Sequence, residues 1–156
     1  MNSAGTEIGP MKKIIFVCHG NICRSPMAEF IMKQKIEDTG KAEEFNISSA
    51  AVSYEEEGND MYPPAKAKLR QHGICFTAHR AHRITRAEFE EADLVIVMDN
   101  SNIRLLERIA GPSDKVHKMM EYAGSLRDVA DPWYTGDFEA TYQDLDKACQ
   151  ELLKKI

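Results

Sequence analysis

A chain of 156 residues with 43% hydrophobic content has the length of one domain around one core, and no second domain is needed. Its 20 Lys and Arg against 25 Asp and Glu leave a net charge of -5, which argues against nucleic acid as the main partner because phosphate-backbone binding calls for clustered cations. The longest early apolar run, Ile14 to Val17, is too short for a signal-peptide core or a membrane span, and the cysteines show no paired spacing, so a cytoplasmic protein without a membrane partner is expected.

In chain order, residues 1–10, with Gly5, Gly9 and Pro10, read as a flexible extension, leaving 11–156 as the domain; Met11 offers an alternative start. Lys12 to Val17 reads as a buried strand. Ser25 is a favoured helix N-cap and Pro26 suits a first helical position, which predicts a helix over Met27 to Lys35. Glu44 to Ser48 is the second strand. A helix from Met61 to His72 starts around Pro63-Pro64 and stops at Gly73. Thr85 and Glu88 have capping-box spacing for a short helix through Glu91, and Leu94 to Met98 is the third strand. Ile103, Leu106 and Ile109 mark one face of a helix that Gly111-Pro112 ends, and Lys115 to Lys118 is a short fourth strand. Phe138, Tyr142, Leu145, Cys149, Leu152 and Ile156 recur at helical spacing, a stripe of core packing. Strands alternating with amphipathic helices predict an α/β domain, an open parallel sheet of four strands with helices on both faces.

Two features stay open between a structural and a functional reading. His79, Arg80, His82, Arg83 and Arg86 form a basic island, read first as a solvated loop and helix start and otherwise as a docking patch for acidic substrates. Asp99 either caps the helix containing Ile103 or steers Arg24. Cys75 and Cys149 read as buried apolar residues, and the five histidines suggest no metal site.

The chemistry concentrates in Cys18-His19-Gly20-Asn21-Ile22-Cys23-Arg24-Ser25-Pro26. A thiol stands at the end of a strand, an arginine six positions later, and a helix begins there. The amides of such a turn and the positive helix end both favour an anion, and Arg24 adds a two-pronged contact to phosphate oxygens. The same groups favour thiolate over thiol at Cys18, which makes it a nucleophile, and Ser25 is placed to donate to the sulfur. Residues His19 to Arg24 would hold the phosphate.

This stretch resembles the phosphate loop of the low-molecular-weight protein tyrosine phosphatases, Cys-x-Gly-Asn-x-Cys-Arg-Ser-Pro, at every fixed position. Asp131-Pro132-Trp133-Tyr134 resembles the family's Asp-Pro-aromatic element, and Ser48-Ser49-Ala50, His72-Gly73-Ile74 with His79, and Val97-Met98-Asp99 are also similar. The resemblance implies strand order 2-1-3-4, with the Asp131 loop over the rim that bears Cys18. It implies hydrolysis of phosphotyrosine and other aryl phosphates through a phosphocysteine, without cofactor. In that scheme Asp131 is general acid and then base, Asn21, Ser49 and His79 brace the loop, and Trp133, Tyr134 and Tyr54 wall the pocket. The implied partner is a phosphotyrosine protein or small aryl phosphate, met by a monomer. Cys23 either packs or traps Cys18 as a reversible disulfide. The alternatives are a thiol-dependent arsenate reductase, which relays oxidation through two further cysteines where this chain has Asp99-Asn100-Ser101, and a non-catalytic phosphotyrosine-binding module.

Overall fold

The computed structural model describes residues 12–156; the extension expected over residues 1–10, and Met11, lie outside the described residues. Four parallel strands, β1 (Lys12–Cys18), β2 (Phe45–Ala51), β3 (Leu94–Val97) and β4 (Val116–Lys118), pair in the order β2-β1-β3-β4. This is the 2-1-3-4 arrangement that the resemblance implies. The helices are α1 (Arg24–Asp38), α2 (Pro63–Gln71), α3 (Arg86–Glu91), α4 (Asn100–Ala110), the single turn α5 (Pro132–Thr135) and α6 (Phe138–Leu153).

Side chains alternate across a strand, so β1 feeds two cores at once. Ile14 and Phe16 pack on one face with α1, α2 and α6, and Ile15 and Val17 on the other with Phe89 of α3 and Leu106 of α4. The stripe on α6 buries Tyr142, Leu145, Cys149 and Leu152 against the first face. No helix among the described residues is long and apolar enough to cross a membrane.

Several boundaries differ from the sequence reading by a residue or more, and two of these differences, with one in burial, have a local reason. β1 runs through Cys18 because Cys18 still pairs with Ala51. Helix α1 begins at Arg24, with Cys23 in the cap position and no side-chain cap; Ser25 is a helical residue whose hydroxyl is directed to sulfur instead. Cys75 is exposed, lying in an irregular segment beyond the Gly73 stop at φ 71°, not buried as its type suggests. The capping box of Thr85 and Glu88 forms as spaced.

β1 is where the strand order reverses: its chain successor β2 lies on one side and β3 on the other. Ligand crevices in open parallel sheets form beyond the carboxyl ends of strands at such a point, and Cys18 is the last residue of β1.

Candidate active site

A cavity of about 120 Å³ opens above Cys18, lined by Gly20, Ile22, Cys23 and Arg24 below and by Glu55, Glu56, Asp131, Trp133 and Tyr134 above. Its floor is the turn from β1 into α1. The Cys18 sulfur receives the amides of Asn21 at 3.3 Å and Ser25 at 3.4 Å and lies 3.0 Å from the Ser25 hydroxyl. Two main-chain amides and a hydroxyl thus converge on one sulfur.

Asn21 holds this turn in shape. It is fully buried and has φ 62°, a left-handed conformation that Asn tolerates better than most residues. Its Nδ2 donates to Ser25 Oγ at 2.8 Å and Ser49 Oγ at 3.0 Å, and its Oδ1 accepts from the His82 amide at 3.3 Å. Ser25 Oγ accepts from Asn21, and its one O–H has two acceptors in reach, the sulfur at 3.0 Å and the Ala50 carbonyl at 3.4 Å. Ser49 in turn donates to the buried carboxylate of Glu29 at 2.6 Å, and the His79 ring lies 2.7 Å from the Asn21 carbonyl. Asn21, Ser49 and His79 thus meet behind the loop. Gly20 allows the close approach of Glu56: a Cβ there would come within 3.3 Å of Glu56 Cγ.

Arg24 is 2% exposed. Its Nη1 donates to Asp99 Oδ2 at 2.7 Å and to the Val129 carbonyl at 2.8 Å, and Nη2 lies 3.4 Å from Asp131 Oδ2. Both Nη1 hydrogens are therefore committed, leaving the Nε–Nη2 edge for an anion in the cavity. Burial works against the guanidinium charge, but the fields of Cys18 and Asp131 and the Asp99 hydrogen bond outweigh it and hold Arg24 above its ordinary value. Asp99 does both things that its sequence position left open. Its Oδ1 caps α4 through the Asn102 amide at 2.9 Å while Oδ2 takes Arg24, and although burial pushes its carboxyl up, that hydrogen bond holds it below the usual range.

Asp131 caps the turn of α5 through the Trp133 amide at 3.0 Å and turns its other oxygen toward Arg24. Trp133 packs on Tyr62, ring centroids 4.8 Å apart, yet stays 52% exposed; Tyr134 is 84% exposed. Tyr54 does not line this cavity. The Arg83 guanidinium draws it away, lying 4.7 Å over its ring and donating to its hydroxyl at 2.7 Å.

The two cysteines of the loop are electrically unlike. Cys23 has no donors like those on Cys18; burial, then the fields of Cys18 and Asp131, push its thiol up to about 12. It stays protonated at neutral pH. Cys149 is fully buried against the Ala28 carbonyl, with its thiol likewise pushed up by burial. Among the described residues no group of three His, Cys, Asp or Glu is arranged to hold a metal ion.

Sequence reasoning missed Glu29, Glu55 and Glu56. Glu29 was legible in principle as one carboxylate among the apolar residues of the first helix, and Glu55-Glu56-Glu57 as an acidic run between the second strand and the Pro63 helix. Neither carries a motif that assigns it to the Cys18 cavity.

A buried thiol ringed by main-chain amides, closed by a guanidinium and faced by a carboxyl at the switch point of a parallel sheet, defines a cysteine-based site for phosphate monoesters. Residues 13–156 match the family described as low molecular weight phosphotyrosine protein phosphatase. The pig (Sus scrofa) protein of that name is 38% identical over 93% of this chain and 96% of its own. The low molecular weight protein-tyrosine-phosphatase YfkJ of Bacillus subtilis is 35% identical over 94% and 96%. A crystal structure of YfkJ superposes with a TM-score of 0.92 at 34% identity over 96% of this chain and 97% of that one, and one from Streptococcus pyogenes with 0.84 at 38% over 94% and 93%. The chain belongs to the low molecular weight phosphotyrosine protein phosphatase family.

Proposed function

We propose that this protein hydrolyses phosphotyrosine and other aryl phosphate monoesters through a phosphocysteine intermediate. The observation that carries the reading is the Cys18 sulfur, held by the Asn21 and Ser25 amides and the Ser25 hydroxyl in the cavity that Arg24 and Asp131 share. The Cys18 thiolate attacks phosphorus in line with the phenolic leaving oxygen, forming the S–P bond as the P–O bond breaks. Arg24, through its Nε–Nη2 edge, and the amides of His19 to Arg24 hold the equatorial oxygens. Asp131 gives its proton to the departing phenolate. It then takes a proton from the water that attacks phosphorus, and the Cys18 thiolate leaves as inorganic phosphate forms. The exposed rings of Trp133 and Tyr134 stand over the opening, where a flat aryl group on a long reach favours phosphotyrosine over phosphoserine.

The arsenate-reductase reading needs cysteines to relay oxidation from Cys18. Cys75 lies in a separate surface hollow with Phe30 and Phe76, Cys149 is sealed in the core, and Cys23 alone adjoins the cavity. Four free thiols support a reducing compartment, the cytoplasm, and the net charge of -5 supports a monomer that binds neither nucleic acid nor membrane. Residues 11–156 are proposed as the catalytic domain, with 1–10 as an extension.

Hydrolysis of an aryl phosphate by wild type and Cys18→Ser tests the proposal. Wild type is expected to turn over with a bell-shaped pH dependence, since a deprotonated sulfur must coexist with a protonated Asp131, and Cys18→Ser is expected to be inactive. Activity persisting in Cys18→Ser overturns the mechanism; binding without turnover by wild type favours the non-catalytic module.

A further inference from the structure

A second concavity, of about 550 Å³, adjoins the catalytic one and is lined by Tyr54, Glu57, His82, Arg83, Arg86 and Arg108. The two hollows share a wall. Glu55 and Glu56 of the turn after β2 face the catalytic cavity, while Tyr54 and Glu57 of the same turn face the groove.

The charges of the two sides are opposite. The opening above Cys18 carries Glu55, Glu56 and Asp131. The groove gathers three guanidiniums against the single carboxylate of Glu57, which accepts from the Arg83 amide at 3.1 Å, while His82 is paired with Glu88 at 2.8 Å. None of the three arginines is neutralised by a buried partner. Arg83 is held by a phenol, which orients the guanidinium without cancelling its charge. The contact of Arg86 with Glu90 is 3.4 Å long with both side chains more than 60% exposed, so solvent screens it. Arg108 is exposed and forms no ion pair among the described residues. Three guanidiniums against one carboxylate, in a chain of net charge -5, make a local complement to acidic side chains.

We infer that this arginine groove docks an acidic stretch of the phosphotyrosyl polypeptide whose phosphate occupies the Cys18 cavity. The inference rests on the phosphatase reading and adds its substrate class. A chain crossing the shared wall advances about 3.4 Å per extended residue, so the acids it presents to the groove stand several residues from the phosphotyrosine, past those that meet Glu55 and Glu56. Acids directly beside the phosphotyrosine meet Glu55, Glu56 and Asp131 instead and gain nothing.

The test compares phosphotyrosine peptides bearing three Asp about three to five residues before or after the phosphotyrosine with the same peptides carrying Asn, and with peptides whose Asp flank it directly. Wild type, R86Q/R108Q and R86E/R108E are assayed on these and on a small aryl phosphate. One of the distal Asp peptides is expected to show a KM about fivefold below its Asn counterpart, the scale of two or three exposed ion pairs, with kcat unchanged. The preference should fade when salt is raised to about 0.5 M, vanish in R86Q/R108Q and reverse in R86E/R108E, while the small phosphate is hydrolysed equally by all three. Equal KM for Asp and Asn peptides, or a preference that the variants keep, overturns the docking site while leaving the phosphatase reading standing. If wild type hydrolyses nothing, the phosphatase reading has failed. Binding of the same peptides with a non-hydrolysable phosphonate then decides the groove separately: it stands if Asp-dependent binding is lost in R86E/R108E and falls if it is not. Binding of anionic lipid vesicles through Arg86 and Arg108, without peptide preference, also overturns the peptide assignment.

Discussion

The floor of the catalytic cavity and its rim differ first in how much of each is hidden from water. Cys18, Asn21, Cys23, Arg24 and Ser25 are all at most 4% exposed, whereas Trp133 and Tyr134 expose half or more of their surface. They differ also in what fixes them. The floor is braced from other elements: Asn21 reaches Ser49 on β2, and Arg24 reaches Asp99 before α4 and Val129 before α5. The rim hangs on a four-residue turn capped by Asp131 and one aromatic contact with Tyr62. On the proposed reading, the groups that hold the phosphate sit on rigid elements, where no reorganisation is needed at the moment of reaction, and those that meet the leaving group sit where movement is cheap. Substitutions on the floor should therefore act on kcat and folding together, and substitutions on the rim on activity alone.

The largest break in that contrast comes from Arg24→Lys. An ammonium keeps the charge and can still reach Asp99, but it lacks the fork that serves Asp99, Val129 and an anion at once. We expect kcat/KM on an aryl phosphate to fall about 10²- to 10³-fold, the cost of losing a preorganised donor. A fall of less than about tenfold would mean that the loop amides carry the anion alone.

Asp131→Asn tests the rim from the side of chemistry. It keeps the cap on the Trp133 amide and removes the proton donor, so kcat should drop about 10²-fold with unfolding midpoints unchanged. The pH profile should lose its alkaline limb, since activity no longer depends on keeping a carboxyl protonated. A variant that retains both limbs would move the acid role elsewhere.

Asp99 links the floor to stability, and the sign follows from its depressed carboxyl. Its stabilisation is fully present above the unfolded value near 3.9 and is lost as pH falls through the lower folded one, so wild type should weaken below about pH 4. Asp99→Asn should flatten that acid dependence and cost about 2 kcal/mol at neutral pH, because buried Arg24 is then left with Val129 and the longer contact to Asp131. Urea unfolding between about pH 2 and 7 measures both effects.

Floor and rim were also unequally legible in the sequence. The floor is local: its thiol, the two amides on it and its arginine fall within eight consecutive positions from Cys18 to Ser25, so one motif displays them. Even there, reading Ser25 as a helix cap was reasonable from its type and wrong in place, because a sulfur outside the helix competes for the same hydroxyl. The supports of the floor come from Ser49, His79 and Asp99, far along the chain, and only a family resemblance pointed to the first two. Tyr54 shows why the rim is harder. An exposed aromatic near a cavity can turn to either side of a loop, and what turns it here is Arg83, 29 residues on in the chain. The acidic residues Glu55 and Glu56 line the opening through the path of that same loop, which no periodicity encodes.

The smallest expected effect belongs to Trp133→Ala, and it sharpens the contrast most directly. Half-exposed, and packed chiefly on Tyr62, the indole contributes little to the core, so unfolding should shift by less than about 1 kcal/mol. If the ring stands beside the substrate aryl group in the ground state and the transition state alike, its loss is one of uniform binding: KM for a phosphotyrosine peptide should rise about three- to fivefold with kcat unchanged. A drop in kcat instead would mean that Trp133 holds the Asp131 turn in register, joining rim to floor. Repeating the measurement in the Asp131→Asn background separates these cases, since a positional role has nothing left to position once the acid is gone and a binding role is still felt in full.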